Sequence, residues 1–231
     1  TFEVSVAKEV VNADGEIRTM QVDGKETALT EGTVVAKIQT DENGVAQSPE
    51  LYLGDYVVTE TAAAEHYAVS GQEYPVSLTY DAQVETVTAK LQVEDVKTSV
   101  DILKVDAEED IPLAGIHFRM FTSKELDEAG GTVDQLDKEV LQSLGTEYIT
   151  DENGRIHIGD LTHDTVYYIF ESETQPGYYL EQQLYKLTVD ANGLIDGKAS
   201  YELKISNTAN NVEITKMDIT GGNTRLSGGE Y

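Results

Sequence analysis

Hydrophobic and polar residues alternate along this chain in short runs, and the runs are separated by turn signals. Asn43-Gly44, Asn153-Gly154, Pro176-Gly177 and Asn192-Gly193 mark tight turns. Tyr, Val, Ile and Thr are frequent between them, as strands prefer. A period of two with such punctuation predicts a mostly β protein. One stretch departs from it. From Thr132 to Leu144, Leu136, Val140, Leu141 and Leu144 form a helical stripe, Thr132 and Gln135 a capping box, and Gly145 a stop. The spacing predicts a helix there.

Four positions break the alternation in the same way. In Val100-Asp101-Ile102-Leu103-Lys104 the inward set is Val100, Ile102 and Lys104. In Tyr167-Tyr168-Ile169-Phe170-Glu171, Glu171 falls in phase with Tyr167 and Ile169, and in Leu203-Lys204-Ile205-Ser206-Asn207, Asn207 falls in phase with Leu203 and Ile205. Lys216 takes the same phase in a later run. A polar group on an apolar face is costly unless it is paired or reacts, so these residues are the candidates for chemistry.

The pattern repeats. Thr40-Asp41-Glu42-Asn43-Gly44 returns as Thr150-Asp151-Glu152-Asn153-Gly154, and Tyr56-Val57-Val58-Thr59-Glu60 as Tyr167-Tyr168-Ile169-Phe170-Glu171, 110 or 111 positions on. Leu91, Val93 and Asp95 match Leu203, Ile205 and Asn207 at 112, as Ile102 to Asp106 match Ile214 to Asp218. A unit of about 110 residues is an ordinary single domain. The register predicts a domain over 1–98 that lacks its first strand, a complete domain over 99–210, and the first strand of a third over 211–231. In the first unit the stretch matching the helix, Gly15 to Ala28, lacks the stripe and reads as strands and turns. The helix is therefore expected to be a surface excursion from a repeating frame.

Composition narrows the function. There are 16 Lys+Arg against 43 Asp+Glu, a net charge of −27, which argues against nucleic acid and anionic lipid as partners. No cysteine is present, so disulfides do not staple the fold; this suits an extracellular Gram-positive protein and a cytosolic one alike. No run approaches the length of a membrane span, and no signal peptide is evident. The start, Thr1-Phe2-Glu3-Val4, has no initiator Met, so a piece of something longer is expected.

A lysine removed from water favours its neutral, nucleophilic form, and a buried carboxylic acid its protonated form. Lys104 could then attack the side-chain carbonyl carbon of Asn207, with Glu171 polarising that carbonyl and shuttling the proton. A buried Lys104–Glu171 salt bridge, with Asn207 a bystander, is the alternative. The order of motifs bears on the choice. Lys104-Val105-Asp106, Pro112-Leu113-Ala114-Gly115-Ile116-His117-Phe118, Thr-Asp-Glu-Asn-Gly, Tyr-Tyr-Ile-Phe-Glu, Pro176-Gly177-Tyr178 and Ile205-Ser206-Asn207 together resemble the Cna protein B-type domains. These are the prealbumin-like domains of Gram-positive pilins and surface adhesins. The resemblance spans nearly the whole chain. It implies tandem immunoglobulin-like or prealbumin-like β-sandwich domains, an all-β fold with a short helical insertion in the second. It also implies an autocatalytic Lys–Asn or Lys–Asp isopeptide bond assisted by an acid, and a cell wall-anchored extracellular location.

In the first unit Glu60 takes the place of Glu171 and Asp95 that of Asn207, and the matching lysine is expected upstream of Thr1. Lys216 has neither acid nor amide in its own unit. It could meet Glu60 and Asp95 of another molecule through residues 212–231, giving head-to-tail association; a free tail is the alternative. Asp41-Glu42-Asn43-Gly44 and its repeat resemble a calcium loop but lack the distal Glu, so hairpin turns are expected. His66, His117, His157 and His163 lack metal-ligand spacing, and no cofactor is expected. The expected function is structural: a stalk segment whose partners are neighbouring domains of the same surface protein, with no turnover enzymology beyond the single cross-linking event. A module binding a host protein or glycan, or an accessory domain of a secreted enzyme, are the alternatives.

Overall fold

The computed structural model describes residues 1–80, 86–130, 132, 138–180, 183–212, 214–215, 217–218 and 224–225. The first repeat unit contributes β1 (Phe2–Val6), β2 (Thr19–Val22), β3 (Lys25–Ala28), β4 (Val34–Ile38), β5 (Gly54–Glu60), β6 (Tyr67–Ala68) and β7 (Glu73–Leu78). After β8 (Val96–Lys97), the second contributes β9 (Ser99–Asp106), β10 (His117–Thr122), α1 (Ser123–Glu128), α2 (Lys138–Ser143), β11 (Thr146–Ile149), β12 (Arg155–Ile158), β13 (Thr165–Glu173), β14 (Leu184–Val189) and β15 (Ser200–Asn207). Two short strands follow, β16 (Met217–Asp218) and β17 (Thr224–Arg225). The fold is all-β, with two short helices among the described residues.

The repeat is visible in the pairing. One four-stranded sheet has the order β4-β1-β5-β7, and the other β11-β10-β13-β14. Phe2 stands opposite Glu60 in the first, as Phe118 stands opposite Glu171 in the second. In the second unit a three-stranded sheet, β12-β9-β15, faces the four-stranded one. Ile102, Ile156 and Ile205 from the former and Phe118, Ile169 and Val189 from the latter share one buried core. The alternation read from the sequence matches the two inner faces of a sandwich.

The first unit shows why β9 matters. β9 is the centre of its sheet, antiparallel to β12 and parallel to β15. The stretches of the first unit that match its two neighbours, 45–48 and 88–95, form no strand. A strand pairs only when another stands beside it, and among the described residues none occupies the place of β9. The first unit's core is accordingly smaller, centred on Val4, Val6, Val35 and Tyr56, and Leu91 is 43% exposed where its counterpart Leu203 packs against the core.

The helical stretch differs from expectation in two ways. Lys138–Ser143 is helical and Thr132 lies outside any helix, while 133–137 lie outside the described residues. A preceding helix, α1, has its own capping box: Thr122 accepts from the Glu125 N–H, and Glu125 accepts from the Thr122 N–H. The insertion is also more than an excursion. Leu126 and Leu141 pack on Phe121 and Phe170 to form a second buried cluster, so β13 is covered on both faces.

The turns use their carboxylates internally. Asp41 accepts from the N–H groups of Asn43 and Val45, and Asp151 from those of Asn153 and Arg155. These backbone donors hold both carboxyls below their ordinary range. Gly44 and Gly154 take the left-handed conformation in equivalent turns, with φ of 74° and 69°. Their surroundings differ. A Cβ on Gly154 would lie 2.4 Å from the Lys104 carbonyl oxygen, whereas one on Gly44 meets nothing within 4 Å. Gly154→Ala is therefore expected to cost on the order of 3 kcal/mol, with Gly44→Ala costing about 1 kcal/mol for the φ alone. Calorimetric melting of the two variants measures the difference, and equal losses would show that the contact with β9 is unimportant.

Candidate functional site

Lys104 lies near the end of β9, Asn207 at the end of β15 and Glu171 towards the end of β13, on the facing sheet. Period-two alternation turns all three inward. Lys104 is 0% exposed and Glu171 and Asn207 are each 1% exposed. Ile102 and Ile205 lie beside them in the core, and the Phe118 ring centroid is 5.9 Å from the Lys104 Nζ.

The contacts among the three close a ring. Lys104 Nζ donates to Glu171 Oε2 at 2.9 Å and to Asn207 Oδ1 at 2.5 Å. Asn207 Nδ2 donates to Glu171 Oε1 at 2.6 Å. The second hydrogen of Nδ2 goes to Thr174 Oγ1 at 2.8 Å. Glu171 was expected to polarise the Asn207 carbonyl; its carboxyl oxygens instead accept from Lys104 Nζ and Asn207 Nδ2, because a carboxylate accepts N–H groups and Oδ1 offers none. Thr174 was not anticipated. It follows β13 in an irregular segment, where strand periodicity gives no phase.

The end of the sandwich beyond these residues is closed by a turn. Asp106, opposite Asn207 in the β9–β15 register, accepts from the N–H groups of Glu109 and Glu108. Those two donors hold its carboxyl below the ordinary range. The Ala107 N–H donates to the Asn207 carbonyl oxygen at 2.9 Å. The backbone of Asn207 is therefore fixed independently of its side chain.

The first unit's candidates are not brought together. Glu60 is buried, and its Oε2 accepts from the Ser70 N–H at 2.9 Å. Asp95 is exposed and outside any strand, so the expected pairing of Glu60 with Asp95 in one core is not what the structure holds. The cause is the missing central neighbour described above. Lys216 lies outside the described residues. Among the described residues no group of three or more His, Asp or Glu could hold a metal, and no helix is long and apolar enough to cross a membrane.

The family model of the SpaA prealbumin-like fold domain matches residues 4–92 and again 98–203. The chain belongs to that family. No curated protein sequence matches it. Among solved structures, prealbumin-like units of this chain align with the Bacillus anthracis TIE protein at 20% identity and a TM-score of 0.38, covering 97% of this chain and 34% of that one. The minor pilin GBS52 of Streptococcus agalactiae aligns at 20% identity and a TM-score of 0.35, covering 94% and 85%. A C-terminal fragment of the pilus adhesin SpaC from Lactobacillus rhamnosus GG aligns at 16% and 0.37, covering 92% and 90%. The chain spans about a third of the Bacillus anthracis structure and 56% of a streptococcal ancillary pilin.

Removing one member of a buried ion pair leaves the other uncompensated, at a cost of about 3–5 kcal/mol. Lys104→Ala and Glu171→Ala are each expected to lose that much stability in urea unfolding. The double variant Lys104→Met/Glu171→Leu, which buries apolar groups of similar size, should recover most of it. The comparison that decides is of the double variant with each single variant. A double variant as unstable as the singles would contradict the pairing.

Proposed function

We propose that this chain is a tension-carrying segment of a Gram-positive cell-surface or pilus-like protein, and that its second unit is closed by a spontaneous isopeptide bond between Lys104 and Asn207. The observation that carries this reading is the 2.5 Å contact of Nζ with the Asn207 side-chain carbonyl oxygen, in a dry core beside a carboxyl group that touches both nitrogens.

The chemistry follows from those contacts. A charged ammonium cannot attack, so a proton first passes from Nζ to Glu171, which burial favours because it cancels two buried charges. The neutral amine adds to Cγ of Asn207. The Nζ–Cγ bond forms and the Cγ–Nδ2 bond breaks. Of the two protons that the lysine gives up, one stays on Glu171 and the other reaches Nδ2, which leaves as ammonia. Amide exchange of this kind is very slow between free molecules; holding the groups in contact supplies on the order of 7–11 kcal/mol of the barrier. Each chain reacts once, so this is a maturation step and not turnover.

The mechanical role follows from the strands that would be joined. The chain enters the second unit through β9 and leaves through β15, which are parallel neighbours. Tension on the two ends shears their shared hydrogen bonds. A Lys104–Asn207 bond carries that tension covalently from the first strand to the last and leaves everything between them unloaded. The neighbouring units of the same protein are then its structural partners. Contacts across the junction support a stalk role. His163 Nε2 lies 2.8 Å from the Tyr67 carbonyl oxygen, and the Val69 N–H donates to the Asn192 carbonyl at 2.8 Å.

Intact-mass spectrometry of the folded protein is expected to show the loss of about 17 Da, one ammonia per amide exchanged. Fragmentation should place the branch at Lys104 and Asn207. Glu171→Ala should fold and keep the full mass. A wild-type chain at its full unmodified mass would overturn the reading, and a Glu171→Ala chain that still loses ammonia at the wild-type rate would remove the acid from it.

A further inference from the structure

We propose that Thr174 is a fourth member of the reacting group, its hydroxyl holding the departing nitrogen of Asn207. This rests on the cross-linking reading above and adds to it a residue that controls how the amide is presented.

The two hydrogens of Nδ2 are divided between Glu171 Oε1 at 2.6 Å and Thr174 Oγ1 at 2.8 Å. With both engaged, the amide cannot turn about its Cβ–Cγ bond without leaving a buried N–H unpaired. That orientation does two things. It presents Oδ1, and with it the carbonyl group, to Lys104 Nζ. It also keeps Nδ2 against the carboxyl group that protonates it as the Cγ–Nδ2 bond breaks. Thr174 lies three residues beyond Glu171 and is half-buried, at the edge of the closed core that holds Asn207 Nδ2. The ammonia released from Nδ2 has there its first hydrogen-bonding partner on the way out.

The internal repeat supplies an independent observation. Glu60 matches Glu171 and Tyr67 matches Tyr178, both at a spacing of 111, and in that register Ala63 matches Thr174. The first unit carries Asp95 where the second carries Asn207. A carboxyl group has no N–H to hold. The hydroxyl is present in the unit that has the amide and missing from the unit that has the acid. A hydroxyl serving only the packing of the strand end would not be expected to follow that difference.

The test is a time course of ammonia loss in the full chain, made by pulsed cell-free synthesis and followed by intact mass. Wild type, Thr174→Val and Thr174→Ser are compared. Valine keeps the shape without the hydroxyl, and serine keeps the hydroxyl without the methyl. Thr174→Val is expected to react about tenfold more slowly, a barrier change of about 1.4 kcal/mol, and Thr174→Ser close to wild type. Melting of Lys104→Ala with and without Thr174→Val, both unable to cross-link, should give a lower midpoint for the valine chain, since one Nδ2 hydrogen loses its partner, and Thr174→Ser in the same background should stay close to Lys104→Ala alone. A Thr174→Val chain that reacts at the wild-type rate overturns the proposal, as does equal slowing by valine and serine, which marks packing, or an unchanged midpoint in the unlinked pair, which shows that the hydroxyl holds no buried N–H. A wild-type chain that keeps its ammonia overturns the cross-link itself, and this role with it.

Discussion

Lys104 stands in a core from which water is excluded, and the rest of the second unit is arranged so that its partners are a carboxyl group and an amide. Neither residue is near it in sequence. Glu171 arrives from the facing sheet, and Asn207 from the last strand, which runs parallel to β9. A lone buried charge costs about 3–5 kcal/mol, a large share of the stability of so small a domain. The sandwich can therefore keep the lysine only if the first strand, the last strand and the opposing sheet are assembled together. The same condition that makes the lysine tolerable also places its nitrogen against a carbonyl group.

The two units of the chain separate what is local from what is not. Both form the four-stranded sheet with the same order and both place a Phe opposite the buried Glu. Among the described residues only the second forms the three-stranded sheet, because only there does a strand lie between the two that need it. The runs 45–48 and 88–95 of the first unit have the residues of strands and are not strands. Sheet formation is a property of pairs.

The same distinction explains what could be read from the sequence. The inward phases of Lys104, Glu171 and Asn207 were legible because a strand turns every second side chain to one face. The repeat gave the frame, because equivalent turns and strands recur at a near-constant spacing. Asp95 was misplaced because its phase says where it would point in a strand and not whether the strand exists. The six-residue helix α1 was passed over although Thr122-Ser123-Lys124-Glu125 is a capping box, since it has little room for a hydrophobic stripe. The place of Glu171 between two nitrogens, and the contact of Thr174 with Asn207 Nδ2, depend on side-chain rotation and on an irregular segment. Neither has a periodic signature.

Pulling a single molecule by its ends tests the central claim most directly. Lys104 and Asn207 are 103 positions apart, which at about 3.5 Å per residue is roughly 350 Å of chain. If the first and last strands of the second unit are covalently joined, that length is never released from wild type, whereas Glu171→Ala gives it up in one step when the unit unfolds. Release of the same length from the wild-type protein would contradict the account.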